Sequence, residues 1–282
     1  MIITRRAGLA FLPALLPALI PALLCATPAH AQAPESALAR IRRTRTFRMG
    51  VVNGQPPYCT KDLATGDWTG FLVDMGRQIA RELDVVWQPV ESTWGNAVLD
   101  IQANKLDVFF GLAPTAQRAL VVDFVRPLFQ NAYCVIARRG FDPKTWDDLN
   151  DPAIRIALEL GSQYDTSAPI LVPKATIQRL KTNNDALLAV QSGRADAQMI
   201  VVILGLVTLS KNPTAGHILV PQPTYGATTN GAVAKEPDPA LRDWLDTWID
   251  RQRAAGALRA MLLTNLERVG VPATNVPPEM LF

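Results

Sequence analysis

The residue best equipped for ligand chemistry is Arg118. In Thr115-Ala116-Gln117-Arg118 the spacing predicts a helix capped by Thr115, with the arginine one turn in. A guanidinium presents a planar fork that holds a carboxylate through two parallel bonds, and its charge does not titrate away. Unpaired N–H groups at the helix start would add positive potential. The same spacing equally serves a surface arginine paired with Asp123. Gly161-Ser162-Gln163 predicts a second helix start, whose backbone N–H groups suit an anion or are simply capped by the serine. Tyr164, next in the chain, suits either a cleft or a packed core. Tyr58 follows the rigid Pro56-Pro57 pair, and Trp94 lies in Ser92-Thr93-Trp94-Gly95. Either ring could face an apolar, planar or cationic group, or pack as core. Trp68 lies in a glycine-flanked turn and is a weaker candidate.

Other chemistries find little support. Beyond residue 31 the chain keeps one histidine, His217, and two cysteines, Cys59 and Cys134. One histidine cannot build a multi-histidine metal site, and there is no C-x-x-C. His217 lies between Gly216 and Ile218 with no nucleophile motif nearby. Neither a metal nor another cofactor is expected. Cys59 and Cys134 are candidates for a disulfide in an oxidising compartment, the alternative being two buried small hydrophobes.

These groups are carried by a chain of 282 residues, 49% hydrophobic and 19% charged, which excludes a disordered or collagen-like polypeptide. Its formal charge of +3 and lack of a basic stripe give no footprint for nucleic acid. Residues 1–31 read as a removable signal peptide: Arg5 and Arg6, an apolar stretch from Ala7 to Leu24, then Ala29-His30-Ala31 as a small-x-small cleavage site. Pro13, Pro17 and Pro21 weaken that stretch as a membrane anchor. Thr4-Arg5-Arg6 is an incomplete twin-arginine motif, and Leu24 is bulky for lipid attachment at Cys25. The expected product is soluble, starts near Gln32 and is exported to an oxidising compartment.

The remaining chain alternates strand-like and helix-like segments, the pattern of an α/β fold. Strands are predicted at Met49–Asn53, Asp84–Trp87 and Leu106–Gly111, the last apolar except for Asp107. A helix beginning at Phe71 carries Met75, Ile79 and Leu83, and the short helix from Thr115 would end at Asp123-Phe124. A second alternating unit has strands at Ile154–Leu158, Ala175–Ile177 and Ala195–Ile200, and a helix capped by Asn184 or Asp185. Near the end, Leu241, Trp244, Leu245, Trp248 and Ile249 follow helical spacing behind Asp238 and Pro239. Two such units without a flexible linker suggest two lobes and a cleft.

Six segments, in order, carry a resemblance: MGVVNGQPPY (49–58), GFLVDMGRQIARELDV (70–85), ANKLDVFFGLAPTAQRALVVDFVRPLF (103–129), LELGSQYD (158–165), SGRADAQMI (192–200) and AKEPDPALRDWLDTWIDRQRAAGAL (234–258). Together they resemble periplasmic solute-binding proteins of family 3, the polar-amino-acid type that serves ABC importers. The resemblance implies a two-lobed, type II periplasmic binding protein fold with two hinge crossings and the ligand in the interlobe cleft. Lobe one would comprise 32–131 plus 228–282, and lobe two 132–227. It implies a monomer that captures a small carboxylate-bearing solute for an inner-membrane permease.

On this resemblance Arg118 takes the ligand carboxylate, with Thr115 beside it, and Tyr58 stacks on the ligand. Trp94, Ser162, Gln163 and Tyr164 are further candidates for the cleft. Ala113 stands where many members have serine, so a hydroxyl is lost. Amino-acid binders usually carry an aspartate for the ligand ammonium shortly after the Gly-Arg-x-Asp-Ala segment. Here that position falls on Val201. A buried ammonium without an acceptor is costly, so the expected ligand is a carboxylate lacking a free α-ammonium. Periplasmic cyclohexadienyl dehydratases, which eliminate water and CO2 from prephenate or arogenate, are also similar. Such an enzyme needs an acid in the cleft, for which Glu159 and Asp165 are the nearby carboxylates. An accessory or sensor binding protein is the third reading.

Overall fold

The computed structural model describes residues 35–276; the predicted signal peptide and Cys25 lie outside them. The first run of elements is α1 (Ala37–Thr44), β1 (Thr46–Val51), β2 (Thr60–Lys61), β3 (Trp68–Thr69), α2 (Phe71–Glu82), β4 (Val86–Glu91), α3 (Ala97–Gln102), β5 (Val108–Leu112), α4 (Ala116–Ala119) and β6 (Val122–Phe124). A long strand, β7 (Phe129–Ala137), leads to β8 (Arg155–Glu159), α5 (Gln163–Leu171), β9 (Thr176–Leu180), α6 (Asn183–Gln191), β10 (Ala197–Val201), α7 (Val202–Lys211) and β11 (His217–Leu219). A second long strand, β12 (Gly226–Ala234), returns to α8 (Ala240–Ala254) and α9 (Ala257–Arg268).

The strands run in the order β4-β1-β5-β12-β7-β10-β8-β9. β1 is parallel to β4 and β5, and β8 is parallel to β9 and β10. Two parallel groups with helical crossovers thus flank a central antiparallel pair. β7 and β12 meet over Phe129–Ala132 and Gly226–Thr229. Beyond that stretch they part: β12 goes on to pair with β5, and β7 with β10.

Each parallel group is locked by one aspartate at the entrance to a strand. Asp107, just before β5, accepts from the Arg48 N–H of β1 at 2.8 Å and from the guanidiniums of Arg40 and Arg48. Asp196, just before β10, accepts from the Arg155 N–H of β8 at 3.0 Å and from the side chains of Arg155 and Arg138. For Asp196 burial works the other way, but these bonds win and hold its carboxyl at about 2. The single polar residue in the otherwise apolar 106–111 stretch is therefore a register pin.

Several predicted boundaries move. The strand expected at Asp84–Trp87 begins two residues later, because Asp84 adopts φ 55° in a turn. Thr182, not Asn184 or Asp185, caps α6 by accepting from the Asp185 N–H. Asp123 and Phe124 belong to β6, paired with β12, rather than to the end of a helix. The helix beginning at Phe71 is confirmed, with Phe71, Leu72, Met75 and Ile79 buried on one face.

The start of α2 also fixes a loop that matters below. The N–H groups of Phe71 and Leu72 donate to the carbonyls of Pro57 and Tyr58 at 2.7 and 3.1 Å, satisfying helix-start donors. Gly70 makes this possible: its φ is +128°, and a Cβ there would lie 2.3 Å from the Tyr58 carbonyl oxygen. Gly70→Ala should therefore lower stability by about 2 kcal/mol or more. Urea unfolding followed by circular dichroism would check this, and an unchanged midpoint would contradict the packing.

Candidate functional site

α4 is a single turn. Thr115 caps it as expected, its Oγ1 accepting the Arg118 N–H at 3.2 Å. So short a helix carries little dipole, and that N–H is consumed by the cap, so the expected pull of the helix start on an anion is minor. The guanidinium is the anion-attracting group. It donates to the Ala113 carbonyl and to the Gly161 carbonyl, each at 3.0 Å. Arg118 thereby reaches from the β5–α4 loop to the β8–α5 loop. Among the described residues it forms no ion pair; the alternative partner, Asp123, faces Arg242 at 3.5 Å. Burial pulls the guanidinium below its usual pKa, and Tyr133 partly opposes this.

Arg118 lines a cavity bounded by β5, the α5 start, α7 and the Tyr58 loop. The cavity volume is about 30 Å³, so its walls are drawn in closely. Seven of the eight predicted ligand-site residues line it: Tyr58, Trp94, Ala113, Arg118, Ser162, Gln163 and Tyr164. Thr115 does not; it acts through the backbone beneath Arg118. Gly111, Leu112, Leu204 and Thr229 also line the cavity and were not expected, whereas Val201 was singled out and does line it.

The aromatic walls are held by specific contacts. The Tyr58 ring lies 6.2 Å from Phe129, and its hydroxyl bonds Asn131 and Thr229. Trp94 meets Phe109 edge-on at 5.7 Å. Tyr164 is both packed and on the cavity, its hydroxyl donating to Asn183 Oδ1 at 2.7 Å. Trp68 stays outside, beneath Lys61. Ser162 caps α5 by accepting the Asp165 N–H, and Gln163 and Tyr164 are the first helical residues, whose N–H groups have no helical partner by position.

The floor is apolar at the position expected from the family pattern to carry an ammonium partner. Val201 ends β10, and Leu204 follows one turn into α7. Arg118 is the one charged residue among the described lining residues. Glu159 lies behind the wall, its oxygens engaged by Gln55, Asn183 and Tyr164. Asp165 is occupied by the Gly161 N–H and Arg179.

Cys59 and Cys134 do not form the suggested disulfide. Both are buried free thiols: Cys59 closes a bridge with Gln55, and Cys134 pairs with Ile200 in the sheet. Burial raises the Cys59 thiol to about 12 and Cys134 further, so both remain protonated. No group of three or more His, Cys, Asp or Glu side chains arranged for a metal occurs among the described residues. No helix among them is long and apolar enough to cross a membrane.

Residues 47–265 match the model of bacterial extracellular solute-binding proteins, family 3. A cyclohexadienyl dehydratase of Pseudomonas aeruginosa is 23% identical over 234 residues, covering 82% of this chain and 86% of that protein. The glutamine-binding protein GlnH of an ABC transporter of Bacillus subtilis is 23% identical, covering 76% and 81%. Among solved structures, the ancestral amino acid-binding protein AncCDT-1, described as a precursor of cyclohexadienyl dehydratase, superposes with a TM-score of 0.73 at 27% identity, over 83% of this chain and 99% of that one. The solute receptor for L-cysteine of Neisseria gonorrhoeae gives 0.75 at 23% identity, over 88% and 100%. The architecture is the type II two-lobed fold.

The two loops at the cavity mouth meet backbone to backbone. Gly161 has φ +75°, and a Cβ on it would lie 2.9 Å from the Gly95 Cα. Gly161→Ala should hold the halves apart. Small-angle scattering should then show a more extended particle than wild type, with unchanged circular dichroism. Equal compactness would mean that these loops do not meet in solution.

Proposed function

Because the chain belongs to family 3 of the bacterial extracellular solute-binding proteins, we propose that it captures a small carboxylate, amino-acid-like or a related organic acid, in the periplasm and delivers it to an inner-membrane ABC permease. The observation that carries this reading is Arg118: a partly buried cation on the cavity wall whose guanidinium is bonded to neutral carbonyls. A carboxylate entering there gains a charge-assisted fork in a site largely shielded from water. Tyr58, Trp94 and Tyr164 supply faces for the remainder of the ligand.

Residues 1–31 are a signal peptide in this reading, and the mature protein is a monomer. Lobe one is 32–131 plus 228–282 and lobe two is 132–227. The β7–β12 pair supports those crossings, since it joins the two parallel groups near the expected residues. The relatives named above for glutamine and L-cysteine take amino acids with an α-ammonium. Val201 and Leu204 offer that group no acceptor, so the ligand here lacks a free ammonium. Small molecules co-purifying with the chain, identified by mass spectrometry, would name it. Calorimetry with that compound should show a loss of about 100-fold or more in Arg118→Ala. Equal affinity in the variant, or tight binding of several amino acids that fails once their ammonium is removed, would defeat the reading.

The similarity to a cyclohexadienyl dehydratase favours one rival, an enzyme on the same fold. Such chemistry needs a proton donor at the ligand. Glu159 and Asp165 are each turned to protein partners and neither lines the cavity. Incubation with prephenate should therefore give no phenylpyruvate absorbance; its appearance at catalytic turnover would establish the enzyme.

A further inference from the structure

Glu159 has no part in the anion site, yet it is one of the most enclosed acids in the molecule. It ends β8 and is 5% exposed. Gln55, in the loop after β1, donates its Nε2 to both carboxyl oxygens at 3.1 and 3.3 Å. Asn183 of α6 donates to Oε2 at 2.9 Å and to the Gln55 Oε1 at 3.1 Å. The Trp94 side chain also bonds the carboxyl. Gln55 and Trp94 belong to the half built on β1, whereas Glu159, Tyr164 and Asn183 belong to the half built on β8. The carboxyl is thus a junction between the halves and supports two walls of the cavity, Trp94 and Tyr164.

The surrounding charges do not favour an anion there. Gln55 and Trp94 are neutral. From α5, Tyr164 faces the group with its hydroxyl, and the Asp165 carboxylate is turned to the Gly161 N–H and to Arg179 of β9. From α6, Asn183 is neutral and Asp185 repels. The proton positions lead to the same result. Tyr164 has one hydroxyl proton, and its shorter contact, 2.7 Å, goes to Asn183 Oδ1. That hydroxyl also lies 3.3 Å from Glu159 Oε2, so the carboxyl receives the weaker of its two contacts. An ionised Glu159 is a buried charge with neutral donors around it but no cation.

We propose that Glu159 is a positioning residue that couples closure of the two lobes to uptake of one proton: it enters the interface as a neutral acid and clasps Gln55 and Trp94 of the opposite lobe. When the lobes part, Gln55 and Trp94 leave, water solvates the carboxyl, and its proton returns to solvent. No covalent bond changes.

The sign of the pH dependence follows. Burial, opposed by bonds to Tyr164, Gln55 and Trp94, raises the closed-state value to about 7, against about 4.3 for a solvated glutamate. Below both values the closed form is fully favoured. Between them each unit of rising pH disfavours it by up to about tenfold, and above about 7 the loss is complete.

Small-angle scattering of the chain without added ligand, at pH 5 and pH 8, tests this independently of the ligand's identity. The wild type should be more compact at pH 5, with the closed-to-open ratio falling about tenfold or more by pH 8. Glu159→Gln, a neutral isostere, should give one profile at both values. A wild-type profile unchanged between pH 5 and 8, compact or extended, would overturn the proposal. So would a Glu159→Gln chain that keeps the wild-type response. If that variant does not fold, Gln55→Ala decides: it should be extended at pH 5, and wild-type compaction there would refute the clasp.

Discussion

Placing a guanidinium in a water-poor cleft without a counter-charge is the constraint around which this molecule is arranged. Arg118 loses solvation and recovers part of it from two carbonyl dipoles, at Ala113 and Gly161. Carbonyls stabilise a cation without neutralising it, so the field in the cavity stays positive. The two carbonyls come from loops that follow β5 and β8, one in each parallel group. Holding the cation therefore also requires that the two groups be brought together, and the geometry of the loops becomes part of the electrostatics.

That approach is a backbone affair. At the Gly95–Gly161 contact there is no space for a side chain on Gly161, and at Gly70 none between α2 and the Tyr58 loop. These glycines set how near the walls come, and the aromatic rings fill what remains. The cavity consequently has one charged point, several flat apolar faces and an aliphatic floor at Val201 and Leu204. Such a surface discriminates by charge first and by shape second.

Much of this was legible in the sequence, and the exceptions have physical causes. Periodicity located α2 and α8 because each buries one stripe. The candidate residues around Arg118 were readable because side-chain type and the family pattern agreed. β12 was not: Gly226–Ala234 reads GATTNGAVA, without alternation, and becomes a strand only because β5, β6 and β7 pair with it. Thr229, on that strand, was missed with it. Leu204 carried a usable signal, since it lies one helical turn beyond Val201. The surroundings of Glu159 had none, because Gln55 lies 104 residues away in the chain. Thr182, Asn184 and Asp185 are all good caps, and only the end of β9 decides among them.

The paired aspartate pins, Asp107 and Asp196, have a mechanical consequence. Each ties its own parallel strands through a backbone N–H and two arginines, and neither reaches across to the other group. Each group is therefore stiff in shear, while the ribbon formed by Phe129–Ala132 and Gly226–Thr229 is the compliant element between them. Besides the cleft contacts at Arg118, Gly161 and Glu159, a torque on either group passes through the four residue pairs of that ribbon. Twisting that ribbon by a few degrees per residue would swing the far edges of the molecule through many ångströms without disturbing the strand order on either side.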